Sequence, residues 1–349
     1  MAIISGVNFS RKTETLLYLL GYEAEMLSYK VYAVGKFVYD LLLGKEGLRI
    51  GLLLDGDVAH YTRSLQHKLS GRTQSYEKLG TASISLPDFF KIEIATLKND
   101  YYFFAAAQPA SPQASLKNEL YKKDFSINTM ALELNPGNFC CLIDYFGGEK
   151  DLADGTIRVL YSLSFVDEPL RLLRALRLEQ KYGFKIHEET YKLMRDAIAG
   201  KVLHKASKEG IGRELKHILS EPAPWMILGR LQEMGLWQHI FPRLLFSKEI
   251  IMRIQRLERL RGCQLVGKHP LRYNSFVISL CGLFYGLSPH EIHYLSHRLR
   301  LKRDERILLI ELMETVMPFP RVREGNKEEA EERLIALLER QCSREEGVT

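Results

Sequence analysis

The sequence predicts an α+β protein in which a small mixed α/β head is followed by an all-helical neck and body. Two observations carry this. Short apolar stretches with strand character, YKVYAVG, RIGLLLDGDV, KLGTASISL and FFKIEIATL, crowd into the region between 29 and 97 and alternate with glycine stops. From Pro169 onward, apolar residues recur almost entirely at the three- and four-residue spacing of helices, with Pro222 and Pro224 interrupting them. A chain of 349 residues is long enough to bury a sizeable core and to divide into several units.

Residues 10–28 read as a short amphipathic helix, with Leu16, Leu17, Leu19 and Leu20 on its apolar side. YKVYAVG then runs as a strand into Gly35, and FVYDLLLG reads as a helix stopped by Gly44. RIGLLLDGDV is a strand ending in an acidic turn. KLGTASISL and FFKIEIATL give two more strands, the latter with Ile92, Ile94 and Leu97 as its apolar positions. The Ala-, Ser-, Pro- and Gln-rich stretch 105–117 reads as a surface loop. A helix is expected through KKDFSINTMALEL (122–134) and a strand through FCCLIDYF (139–146). The segment NKEEAEERLIALLERQ closes the chain with an amphipathic helix. The expected divisions are a helical extension over 1–29, the head over 30–150, the neck over 151–220 and the body over 221–349.

Composition narrows the function classes. With 46% hydrophobic and 26% charged residues and a mean hydropathy of −0.15, the chain has the make-up of a water-soluble globular protein. No apolar run reaches the roughly 18 residues needed to span a bilayer, so no membrane role is expected. The N-terminus lacks the charged, apolar, small-residue order of a secretory signal. Five cysteines without CxxC or framework spacing favour free thiols and a cytoplasmic location. A formal charge of +6 is compatible with nucleic acid but is weak evidence for it.

Four stretches can carry chemistry. At Gly35-Lys36, a strand, a glycine and a helix start offer backbone N–H groups to phosphate, and equally make an ordinary turn. Asp55 and Asp57 share a side if the chain stays extended, which suits a divalent ion, but bracketing Gly56 they also suit turn chemistry. In KKDFSINTMALEL, Lys122 and Lys123 can meet phosphate or only water, and Asp124 can cap a helix. In DEPLRLLRALRLEQKYGF, Arg171, Arg174 and Arg177 recur every three residues, opposite Leu172, Leu173 and Leu176. That basic stripe, extended by Lys181, either follows an RNA backbone or is a solvated, salt-bridged face. No histidine cluster, nucleophile elbow or Walker A sequence is present.

Taken together, VGKFVYDLLLG (34–44), LLLDGDV (52–58), LGTASI (79–84), IEIATLKND (92–100), KKDFSINTMALEL (122–134), IDYFGGEKDLADGTIRVL (143–160) and SFVDEPLRLLRALRLEQKYGF (164–184) resemble the class II tRNA nucleotidyltransferase and bacterial poly(A) polymerase family in order and spacing. The resemblance implies a nucleotidyltransferase-like head. In that family two carboxylates, one residue apart, hold the Mg²⁺ ions that activate an RNA 3′-hydroxyl and neutralise the incoming triphosphate. Counting from Gly44, those positions are Arg49 and Gly51. The phosphate-cradling glycine pair is Gly35-Lys36, the motif's arginine is Tyr39, and the arginine pair before DFxINxMA is Lys122-Lys123. The Glu-Asp pair of the base-reading motif is Asp167-Glu168, and the later Glu-Arg pair is Glu209-Gly210. Arg171, Arg174, Arg177, Asp124, Asn128, Asp144 and Asp151 survive.

The resemblance therefore implies a catalytically silent member that binds RNA, tRNA in the first instance, or serves as partner subunit to an active nucleotidyltransferase. No catalytic residue and no cofactor are expected of that form. An active alternative would need Mg²⁺ with ATP and CTP, a metal site relocated to Asp55 and Asp57 or shared with a companion, Glu168 and Arg171 at the base edge, and Arg174 and Arg177 at phosphate. A third reading is a helical interaction scaffold without RNA.

Overall fold

A computed structural model describes residues 2–3, 10–76, 79–87, 90–97, 112–242, 244–264, 275–285, 287–299, 301–307 and 309. The chain divides into two compact units, one of residues 1–162 with 185–190, the other of residues 163–184 with 191–349.

The first unit is built on one mixed sheet. Its strands are β1 (Ala2–Ile3), β2 (Lys30–Val34), β3 (Arg49–Asp55), β4 (Arg72–Tyr76), β5 (Thr81–Ser85), β6 (Lys91–Thr96), β7 (Ala131–Glu133) and β8 (Cys141–Ile143), in the order β1-β8-β7-β2-β3-β6-β5-β4. Only the β3–β6 pairing is parallel, with Arg49 beside Lys91 and Gly51 beside Glu93. A parallel pair needs a crossover, and α3 (Val58–Gln66), β4 and β5 make up its described part. Two short strands, β9 (Thr156–Ile157) and β10 (Lys185–Ile186), pair separately in parallel.

Alternation along β3 decides the two faces of the sheet. Ile50, Leu52 and Leu54 are buried on one face, the side of α1 (Arg11–Met26) and α3. Gly21 permits the close approach of α1, because a Cβ there would stand 1.7 Å from the carbonyl oxygen of Leu134. Arg49, Gly51, Leu53 and Asp55 alternate to the other face. There Leu53, Tyr32, Val34 and Ala131 pack with Leu116 and Leu120 of α4 (Pro112–Tyr121). This second face carries Arg49 and Gly51, the positions at which the motifs lead one to expect metal-binding carboxylates.

Three sequence expectations are corrected here. Residues 112–117, expected in a loop, begin α4, since Leu116 and Leu120 at four-residue spacing bury fully against the sheet; residues 105–111 lie outside the described residues. The helix expected over 122–134 is replaced by a single 3₁₀ turn, Ser126–Asn128, followed by β7. Ser126 donates its hydroxyl to Asp151 at 2.6 Å and its N–H to the Arg158 carbonyl at 2.9 Å, and these tertiary bonds outweigh local helix preference. Asp124 is accordingly not a helix cap; Phe125 takes the N-cap position of that turn. Helix α3 and strands β1 and β4 were not anticipated.

The second unit is helical. It contains α6 (Ser164–Asp167), α7 (Arg171–Tyr182), α9 (Lys208–Leu219), α10 (Pro224–Glu233), α11 (Trp237–Ile240), α12 (Lys248–Gln264), α13 (Ser275–Phe284) and α14 (Pro289–Arg298). Helix α5 (Gly148–Ala153) belongs to the first unit, and α8 spans Glu188–Ala199. Among the described residues no helix is long and apolar enough to cross a membrane. The C-terminal amphipathic helix expected from 326 lies outside the described residues. Cys140, Cys141 and Cys281 are buried free thiols, and burial pushes the first and last up to about 12.

Candidate functional site

The open face of β3 is where a metal seat would form, and its chemistry can be read strand by strand. Gly35 sits at φ 73° and ψ −137°, a backbone conformation that glycine alone adopts readily, and starts α2 (Lys36–Leu42). A Cβ at Gly35 would meet nothing within 4 Å, so the turn stands open. The second residue of this cradle, Lys36, forms an ion pair with Asp40 one helical turn on and lies 5.6 Å from the Tyr39 ring centre.

Across the turn, Arg49 is exposed and stands beside Lys91 in the parallel register. Gly51 faces Val34, and a Cβ there would lie 3.3 Å from the Val34 carbonyl oxygen, tight but not closed. Its parallel neighbour Glu93 supplies a carboxylate, but that group is bonded to the Lys91 ammonium at 2.6 Å. Around Arg49 and Gly51 the face thus presents a guanidinium, an ammonium and one neutralised carboxylate, while Asp55 and Glu133 lie further along it beside Lys30; two Mg²⁺ ions need several anionic oxygens gathered at one point. Among the described residues no three His, Cys, Asp or Glu side chains group as a metal would require. The residues present do not fit the metal pair that the motifs imply.

Asp55 and Asp57 have diverged in role. Asp55 ends β3 beside Lys30, whereas Asp57 is the N-cap of α3. One Asp57 carboxylate oxygen accepts from the backbone N–H groups of Ala59 at 2.8 Å and His60 at 3.0 Å. Those bonds hold its pKa below the ordinary carboxylate value.

At the C-terminal end of α4, exposed Lys122 is ion-paired to Glu119 at 2.6 Å. Lys123 is half-buried, and desolvation lowers its pKa against the opposing pull of Glu119 and Asp124. Asp124 is also half-buried, and Asn128 carries a buried side-chain oxygen without a hydrogen-bond partner among the described residues. Two of the surviving aspartates, Asp144 and Asp151, are structural. Asp144 accepts from the N–H groups of Phe146, Gly148 and Glu149 at 2.9–3.1 Å, fixing the turn into α5. Asp151, buried, binds Ser126 and takes a bidentate grip from Arg158, whose other nitrogen meets His187 at 2.9 Å.

The remaining candidates belong to the second unit. Glu168 is half-buried at the end of α6. Arg171 is buried and bonded to the Ser164 hydroxyl at 2.5 Å. The basic stripe of α7 runs along an acidic one: Arg174 meets Glu214 of α9 at 2.7 Å, and Arg177 lies between Glu214 (3.9 Å) and Glu221 (3.3 Å). Lys181 reaches Glu221 at 2.5 Å. Gly210 packs on Leu170, whose side chain would lie 2.6 Å from an added Cβ. The sequence reading named this stripe but neither of its glutamates, which sit 40 and 44 positions away from Arg174 and Arg177.

Residues 31–158 match the Poly A polymerase head domain, and residues 183–246 match a segment described as a probable RNA- and SrmB-binding site of polymerase A. Over 249 residues the chain is 38% identical to the A-adding tRNA nucleotidyltransferase of Geobacter sulfurreducens, an overlap of 71% of this chain and 28% of that protein. With the A-adding tRNA nucleotidyltransferase of Halalkalibacterium halodurans it shares 31% identity, over 70% of this chain and 57% of that one. The chain thus spans only about a quarter to little more than half of these curated relatives. A Thermotoga maritima CCA-adding enzyme solved in complex with tRNA is 30% identical, with a TM-score of 0.70 over 96% of this chain and 82% of that one. A CCA-adding enzyme solved with CTP gives 0.72 at 29% identity, over the same shares of both chains.

Proposed function

Because this chain belongs to the tRNA nucleotidyltransferase and poly(A) polymerase family, we propose that it is a member that has given up nucleotide addition and kept RNA binding, with tRNA as its first ligand. The observation that carries this reading is the Arg49–Lys91 pair of cations on the strand face where the family's motif calls for carboxylates. Losing one ligand weakens a metal site; placing a fixed positive charge at its position opposes the ion directly. An exposed guanidinium remains suited to a phosphate, whose attraction to a cation needs no metal-ligand geometry.

The solved relative complexed with tRNA supports RNA as the ligand class, and the retained Arg171, Arg174 and Arg177 are consistent with it. On this reading the protein acts on RNA directly or as companion to an active family member in the cytoplasm. Filter binding of tRNA across a salt series tests it. Binding that weakens steeply with salt and does not require Mg²⁺ is expected. The absence of any tRNA affinity, alone or with a recovered companion, would refute the RNA-binding reading.

A further inference from the structure

The head also carries a run of aromatic rings drawn from separate segments of the chain. Tyr121, at the end of α4, lies between Tyr161 at 5.6 Å and Phe146 at 5.7 Å between ring centres. Tyr145 continues the run at 6.3 Å from Phe146, and the Lys117 ammonium caps the Tyr145 ring at 5.8 Å. Tyr121 is 43% exposed and Tyr145 38%, so the run opens to solvent at two points. Phe146 is half-buried and roots it in the apolar cluster of Tyr32, Val34 and Leu53, on the same face of the sheet as Arg49 and Gly51.

The mounting is rigid. The Tyr145–Phe146 turn is pinned by the three backbone bonds to Asp144, and Tyr121 is held on α4 by Leu116 and Leu120. A cation stands at one end, where Lys117 lies beside Tyr145. Among the described residues the Lys117 ammonium has no carboxylate partner. Asp144, the acid closest in sequence to the rings, has its carboxylate taken up by backbone N–H groups.

We propose that the Tyr161–Tyr121–Phe146–Tyr145 run, with Lys117 beside it, is a platform for single-stranded RNA. Bases stack on the exposed parts of Tyr121 and Tyr145, and Lys117 meets an adjoining phosphate. The inference rests on the RNA-binding reading above and deepens it by adding a second contact region that tolerates any base, since every base offers a π-face.

The test is fluorescence anisotropy with a short labelled oligoadenylate, run beside intact tRNA, on the full chain and on variants shown by thermal unfolding to be folded. Tyr145→Ala is expected to weaken oligoadenylate binding by about tenfold, the scale of one lost base stack, while Tyr145→Phe keeps native affinity. Lys117→Glu is expected to weaken binding and to flatten its salt dependence by roughly one phosphate contact. Tyr18→Ala, on α1, is the control and leaves affinity unchanged. Native oligoadenylate affinity in Tyr145→Ala would overturn the proposal and reassign the patch to a protein partner. If tRNA is bound equally by all variants in that case, the platform falls and the RNA-binding reading stands. If neither RNA binds the native chain, both fall together.

Discussion

The open face of β3 and the seam between α7 and α9 both carry motifs of one family, yet they differ in how their side chains are tied down. On β3, Arg49 is exposed, Gly51 has no side chain, and Glu93 is held only by a neighbouring lysine. Along α7, Arg174, Arg177 and Lys181 are matched to buried glutamates, with Glu214 and Glu221 both sunk beneath the surface. Substituting a residue on the strand face breaks no network, so its chemistry can be lost without loss of fold. Substituting one residue of the seam strands a buried charge, so its residues persist whatever the head does. Survival of Arg174 and Arg177 is therefore explained by packing as fully as by RNA, and their retention alone does not argue for catalysis.

That contrast can be broken by measurement. The largest effect belongs to the seam: Glu214→Ala removes the buried carboxylate set between Arg174 and Arg177 and is expected to lower stability by about 3 kcal/mol, read by urea unfolding. A change under about 1 kcal/mol would mean that the pairs are solvated and that the seam constrains nothing. The next effect belongs to Asp57. Asp57→Ala removes the α3 cap and is expected to cost about 1 kcal/mol, with Asp57→Asn close to native because an amide oxygen caps equally well. The folded state holds the Asp57 pKa below its unfolded value, so the charged cap contributes fully above the unfolded pKa of about 3.9. The part that depends on its charge fades as pH falls through the lower folded value, so the gap between native chain and Asp57→Ala narrows there without closing. A metal role would instead make the native chain, but not Asp57→Asn, more stable with Mg²⁺. The smallest effect is Arg49→Asp, expected within about 0.5 kcal/mol of native because the side chain is exposed and bonded to nothing described.

The head was legible where each strand announced itself between glycine stops. The extended stretch Lys30–Val34, the turn at Gly35 and the β3 run 49–55 read directly, and counting from Gly44 located Arg49 and Gly51. Residues 122–134 misled because Met130, Leu132 and Leu134 alternate as a strand does, while Ala131 and Glu133 between them are buried too and mask the period. What decides that segment is Ser126 on Asp151, a contact across 25 residues. The glutamates of the seam and the aromatic run were invisible for the same reason. Tyr121, Tyr145 and Tyr161 come from three separate segments, and only the fold sets them side by side.

The central claim is that the head keeps the family's scaffold without its metal chemistry. Its most direct test is incorporation of labelled ATP and CTP into tRNA with Mg²⁺ by the purified native chain, beside an Arg49→Asp, Gly51→Asp variant. Aspartate fits at both positions, since a Cβ at Gly51 needs the Val34 carbonyl to yield by only a few tenths of an ångström. The account predicts no incorporation by the native chain above a mock-purified control, and labelling that appears only with the variant. Labelling by the native chain, abolished by chelating Mg²⁺, would contradict it.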